Sequence, residues 1–254
     1  MVNVLIAPRV EALDLKMDLF GEPSSVHPTL LWDENDAVLI DAGFPGQLER
    51  LREAIEQAGV PLERLTRLIV THQDIDHIGG ISALLALNGR IEVLAHRQER
   101  PYIVGEKRLI KLSPERMAQF SERLSHLPEE RRKAVLDAFT NTKARVDRTL
   151  ADGDRLPYCG GIVVIHTPGH TPGHTSLYLE QSKVLVTGDA LNVSDGQLVG
   201  PSGSVTADMD QAFGSLKKLA QYDIETVVCY HGGPYTGEVN TRIAELADKP
   251  PLSA

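Results

Sequence analysis

Four side chains able to bind a metal ion fall within residues 71–80: His72, Asp74, Asp76 and His77 in Thr-His-Gln-Asp-Ile-Asp-His-Ile-Gly-Gly. Neutral imidazoles mixed with carboxylates are the donor set that suits zinc and similar divalent ions. Three more polar clusters follow: His170 and His174 in Thr167-Pro-Gly-His-Thr-Pro-Gly-His, Asp189 in Thr187-Gly-Asp-Ala, and His231 in Tyr230-His-Gly-Gly. Metal sites of this kind polarise a carbonyl or phosphoryl oxygen and make water acidic enough to attack it near neutral pH.

Each cluster comes directly after an apolar run, and the runs supply the scaffold. Residues 68–70 (Leu-Ile-Val) precede the first cluster and read as a buried strand, a rigid floor from which ligands fan out. Residues 2–6, 30–32, 38–40 and 91–94 read as further strands. An amphipathic helix over 47–58 places Leu48, Leu51 and Ile55 on one face, and a short helix covers 81–87. Strand then alternates with helix, which predicts a layered α/β domain. The rhythm breaks between about 97 and 148. Ser113-Pro114-Glu115 is a helix start, and Met117, Phe120, Leu124 and Leu127 recur at helical spacing. A second helix opens at Pro128 and carries Val135, Leu136 and Phe139. This segment is expected to be a helical insertion that forms the wall or lid of a pocket. Strands return at 162–166, 176–179, 184–186 and 226–229, with a helix capped near Thr206 and Asp208, a last helix over 238–247, and a fraying tail from Lys249.

Bulk composition narrows the partners. The chain of 254 residues, 42% apolar and 24% charged, is long enough for one full core over 1–254. A net charge of −9 argues against nucleic acid, whose binders present basic faces. No window approaches the length of a membrane span. The N-terminal residues lack the cationic flank of a secretion signal. Cys159 and Cys229 have no paired spacing, so a reduced cytoplasmic protein without a disulfide is expected. The expected partner is a small-molecule substrate, with a homodimer left open.

The four clusters together resemble the metallo-β-lactamase superfamily, whose pattern is His-x-His-x-Asp-His followed by a distal His, an Asp and a final His. The resemblance spans nearly the whole chain, in order and spacing. It implies an αβ/βα four-layer sandwich with a two-metal site at its edge. Carried over by position, the first metal takes His72, Asp74 and His170. The second takes Asp76, His77 and His231, and Asp189 bridges both. The implied cofactors are two divalent ions, zinc first, with iron or manganese as alternatives. Asp76 also orients the attacking hydroxide that the metals share.

The chain departs from the pattern at Asp74, which stands where the family has its second histidine. A carboxylate oxygen and an imidazole Nδ1 both lie two bonds from Cβ, so Asp74 fits the same position. The charge changes, however. Three aspartates and a hydroxide cancel two divalent ions, where the usual set leaves one positive charge. Less positive charge raises the pKa of bound water, and a harder ligand set tilts selectivity toward iron or manganese. Diiron flavoproteins of the superfamily carry a carboxylate at this position.

The bridging Asp189 resembles the glyoxalase II, lactonase and phosphodiesterase-like branches. Quorum-quenching lactonases resemble the chain in length and in Thr-Pro-Gly-His-Thr-Pro-Gly-His, but carry a tyrosine where Asn192 stands here. The resemblance therefore implies a dinuclear metal-dependent hydrolase of a small ester-like bond: lactone, carboxylic ester, thioester or β-lactam. The alternatives are an iron-dependent redox enzyme of the same fold (persulfide dioxygenase or diiron type) and a phosphodiesterase. His174 is expected to hydrogen-bond behind the ligands. Asn192, Leu191, Met117 and Phe120, with Tyr102 and Phe139, are candidates for the substrate pocket. His96 and His126 read as surface residues, His166 as a satisfied half-buried imidazole, His27 as a loop residue away from the pocket, and Cys229 as core.

Overall fold

The structure is a computed structural model and describes residues 3–19 and 22–248. The tail from Lys249 and the expected start of the first strand at Val2 lie outside the described residues.

Two sheets carry the fold. The first has seven strands in the order Val4–Ala7, Val10–Ala12, Thr29–Trp32, Ala37–Ile40, Arg67–Val70, Glu92–His96 and Arg148–Leu150. Its last four strands pair in parallel, each returning by a crossover. The second has six, in the order Arg155–Leu156, Ile162–His166, Thr175–Leu179, Val184–Val186, Thr226–Cys229 and Gly233–Tyr235. There only Val184–Val186 and Thr226–Cys229 run parallel.

Alternation along the strands decides which layer each side chain joins. In Ala37–Ile40, Ala37 and Leu39 point to a cluster with Leu51, Ala54 and Ile55 of the Leu48–Gln57 helix and with Ile81 and Leu84 of the Ile81–Leu87 helix. Val38 and Ile40 point the other way, meeting Ile162, Val164, Leu177 and Val228 of the second sheet. Val163 and Ile165 then pack on Leu216, Leu219, Ile243 and Leu246 of the Met209–Leu219 and Val239–Ala247 helices. The layers run helix, sheet, sheet, helix: the αβ/βα sandwich expected from the resemblance. Strands buried on both faces explain why the sequence shows unbroken apolar runs. Each fully buried Leu or Ile contributes about 1.5–3 kcal/mol.

Between Glu92–His96 and Arg148–Leu150 of the first sheet, the chain holds the helices Arg100–Ile103, Pro114–Arg123 and Glu129–Thr140. Ser113 caps the second of these, its side chain accepting from Arg116 N at 3.3 Å. Neither longer helix buries a residue fully, and Phe120 meets Phe139 across them at 4.6 Å between ring centroids. No helix among the described residues is long and apolar enough to cross a membrane.

Candidate metal centre

The parallel strands end at one edge, and the polar clusters leave from those ends. Asp41 follows Ala37–Ile40, the 71–80 loop follows Arg67–Val70, Asp189 follows Val184–Val186, and His231 follows Thr226–Cys229. His170 and His174 lie in the connection from Ile162–His166 to Thr175–Leu179. Such carboxyl ends are where open α/β sheets collect their ligands. The short helix Ile75–Ile78 turns Asp76 and His77 toward the others. Two glycines allow the crowding: a Cβ on Gly80 would meet Ala42 O at 2.2 Å, and one on Gly188, at φ +53°, would meet His174 Nε2 at 2.7 Å.

The seven expected ligands come together in two groups, His72–Asp74–His170–Asp189 and Asp76–His77–His231, with the donor atoms of each group within 4.8 Å of one another. Asp189 touches both groups. Its Oδ2 lies 3.1 Å from His170 Nε2 and 3.5 Å from His231 Nε2, and its Oδ1 lies 3.3 Å from His77 Nε2. Asp74 Oδ2 lies 2.9 Å from His170 Nε2 and 3.1 Å from His72 Nε2. Asp76 Oδ2 lies 3.2 Å from His231 Nε2.

The surroundings aim these atoms. Asp41, buried at φ +63°, accepts from Thr71 N at 2.8 Å, from Thr71 Oγ1 at 2.7 Å and from His77 Nδ1 at 2.8 Å. That bond fixes the ring so that Nε2 faces the centre, the arrangement a carboxylate commonly imposes on a ligating histidine. Tyr230 stacks on His77 at 3.7 Å, and its hydroxyl donates to Asp76 O. Glu99, fully buried, accepts from Gln73 N, Gln73 Nε2 and Thr171 Oγ1, all at 2.9 Å, and from Gly173 N at 2.6 Å. It thereby ties the 71–80 loop to the His170 loop. His174 accepts from Asp189 N through Nε2 at 3.0 Å, which leaves its Nδ1–H to donate to Thr167 Oγ1 at 2.9 Å. Both nitrogens are used away from the ligand groups.

The chemistry of the donor set fits a cation. His72 Nε2, His77 Nε2 and Asp189 Oδ1 are buried without a hydrogen bond, although they face one another across the centre. Leaving buried polar atoms unpaired costs about 1–3 kcal/mol each, a cost that a bound ion removes. The field points the same way. Burial opposes charge on His231, but Asp189 and Asp76 outweigh it and raise the imidazole to about 10. Burial likewise opposes charge on His77, yet Asp41, Asp76 and Asp189 hold it well above the usual range. His72 is pushed down to about 4 by burial and by His77. A pocket of anions that draws protons onto its imidazoles also draws a divalent ion, which must displace them.

Beside the centre lies a cavity of about 240 Å³, walled by Ile75, Leu109, Leu112 and Val205, with Lys111 reaching in from the 97–148 segment. The Lys111 ammonium contacts both Asp74 Oδ2 and His170 Nε2.

The expected pocket residues do not line this cavity. Leu191 is fully buried in the cluster around Leu216 and Ile243, because the chain after Asp189 turns it inward and away from any substrate. Met117 and Tyr102 line an adjoining cavity of about 490 Å³ that shares Leu109 and Leu112 with the smaller one. Phe120 packs on Phe139, and Phe139 also faces Phe44 at 6.4 Å. Asn192 is half-buried in the Asn192–Ser194 strand, its amide donating to Gly200 O at 3.4 Å. His96 is buried, contrary to the surface reading: its strand runs to residue 96, where the ring stacks on His166 at 4.2 Å. Asp41, Glu99 and Lys111 escaped the sequence reading as site residues. Asp41 had a signal, a lone carboxylate ending an apolar strand, whereas Glu99 and Lys111 had none.

Comparisons with known proteins agree with this geometry. The family model described as the metallo-beta-lactamase superfamily matches residues 21–231. A Bacillus subtilis (strain 168) protein named probable metallo-hydrolase YflN is 31% identical over 225 residues, covering 84% of this chain and 81% of that protein. Among solved structures, the metallo-beta-lactamase family protein TTHA1429 from Thermus thermophilus superposes with a TM-score of 0.70 at 24% identity, over 96% of this chain and 79% of that one. A metallo-beta-lactamase from Pontibacter korlensis gives 0.69 at 20% identity, over 98% and 99% of the two chains. At these identities the two structures speak for the fold alone.

Proposed function

Because the chain belongs to the metallo-β-lactamase superfamily, we propose that it is a dinuclear metal-dependent hydrolase of a small ester-like substrate: a lactone, carboxylic ester, thioester or β-lactam. The observation that carries this reading is the convergence of seven ligand-capable side chains, with Asp189 common to both groups, against a cavity with an apolar wall. Two divalent ions, once bound there, would supply Lewis acidity and an acidic water at neutral pH. His72, Asp74, His170 and Asp189 would hold one, and Asp76, His77 and His231, with Asp189 beside them, would hold the other.

The remaining work falls to the chain itself. Asp76 Oδ2 borders the cavity and lies nearest His231, so this carboxylate is placed to accept a proton from the attacking water. His231, 38% exposed, is the most open of the seven and marks the side from which substrate arrives. Leu109, Leu112 and Val205 hold an acyl chain and exclude water around the reacting bond. A cavity of about 240 Å³ favours a small substrate.

The test is a panel of lactones, aryl esters, thioesters and β-lactams assayed before and after chelation, with metal content measured on the same protein. Turnover that chelation abolishes and divalent ions restore supports the reading; no turnover with any member of the panel overturns it. Asp74 favours a second reading, an iron-dependent redox enzyme, since three carboxylates make a harder ligand set. Iron in the isolated protein together with oxygen uptake on persulfide would select that reading instead.

A further inference from the structure

Lys111 enters the centre from a part of the chain where no ligand motif lies. Its ammonium contacts Asp74 Oδ2 and His170 Nε2, both members of the first ligand group, and its side chain is 19% exposed. A second observation shows that this placement is held. The side chain of Gln73, which sits between His72 and Asp74, accepts from Ile110 N at 2.8 Å through Oε1 and donates to Glu99 at 2.9 Å through Nε2. The ligand loop therefore grips the backbone next to Lys111 while the buried Glu99 fixes the grip. Asp74 and Lys111 are 37 residues apart in sequence, yet one hydrogen-bonded chain sets both.

The charges explain what the pair does. Asp74 brings a negative charge to a position where the superfamily pattern has a neutral imidazole. Lys111 brings one positive charge to the same oxygen. We infer that Lys111 is the charge-balancing partner of Asp74: it offsets the added carboxylate, so that the first ligand group meets a divalent ion with the net charge of the histidine-type site. With Lys111 counted, the three aspartates and a hydroxide again leave one positive charge over two divalent ions. An ion in the first group would take His170 Nε2 from the ammonium and leave it on the Asp74 carboxylate, where its charge weakens that group's hold more than the second's. This inference rests on the metal-centre reading of the proposed function and adds a residue that sets how tightly one ion is held.

The experiment is a double-mutant cycle on metal affinity, read by chelator competition with zinc and with manganese on the full-length protein and without substrate. Lys111→Met is expected to tighten binding of one ion by about tenfold or more, as removal of a cation within a few ångströms implies. In an Asp74→Asn background the same change is expected to alter affinity by less than about threefold, because the lysine then has no carboxylate to hold it in place. Lys111→Arg keeps the charge and is expected to stay near the wild-type affinity, which controls for packing. A change below threefold in the wild-type background, or an equal change in both backgrounds, overturns the inference. Absence of turnover on the ester panel with the cycle intact sinks the hydrolase reading alone.

Discussion

The two ligand groups are built by different means. In the first, His72, Asp74, His170 and Asp189 are all buried, and their loops are tied by Glu99 and Gln73 and met by a lysine. In the second, His77 is clamped by Asp41 and stacked on Tyr230, while Asp76 and His231 border the cavity and His231 remains half-open. The first group is a deeply buried socket shaped by long-range hydrogen bonds, and it meets the cavity through Asp74 and Asp189. The second is a rigid back wall with an open front. On the proposed two-ion reading the groups would differ in task, the more buried one holding its ion and the one with His231 at its front meeting substrate.

Three substitutions sharpen or break this contrast. Asp189→Ala removes the one side chain common to both groups, so both ions should be lost and ester turnover should fall by more than about 100-fold, beyond the usual effect of an outer partner. Metal analysis and initial rates check this, and retention of one full equivalent of metal would show that Asp189 serves a single group. Asp41→Asn should act first on the second group through His77, weakening one ion by about 10–100-fold, with a smaller effect on His72, whose Nδ1 meets the same Thr71 hydroxyl at 3.1 Å. The amide places an N–H against donors from Thr71 or His77, so the imidazole loses its fixed orientation. A chelator titration should then split into two phases. Glu99→Gln should give the smallest catalytic effect and a mainly structural one. Four donors face that carboxylate, and an amide cannot accept from all of them, so thermal unfolding should report a loss of about 1–3 kcal/mol. Turnover falling as steeply as in Asp41→Asn would mean that the socket is no more tolerant than the wall.

Much of the frame was legible in the chain because doubly buried strands write themselves as apolar runs. Residues 162–166, 184–186 and 226–229 are strands at the positions their Val and Ile content indicates, and the 81–87 helix follows its apolar spacing. The candidate ligands were legible because each stands at the end of such a run. What failed was anything decided by tertiary contact. Leu191 follows a ligand closely enough to suggest a pocket, but its direction is set by the third core cluster. His96, next to a segment with helical spacing, reads as a surface residue; strand pairing through residue 96 carries it into the interior beside His166. The pocket wall comes from Leu109, Leu112 and Val205, in loops without periodicity, and Lys111 is an ordinary lysine until the fold sets it on Asp74.

The ligands are drawn from both halves of the chain, and the last of them, His231, stands beyond nearly every strand of the sandwich. During synthesis His72 and Asp74 emerge long before His170 and Asp189, so an early chain can offer an ion only a partial and weak grip. On the proposed metal-centre reading, loading would come late, after the two sheets have closed on each other, and the ion would act as a clasp across a seam that is already made.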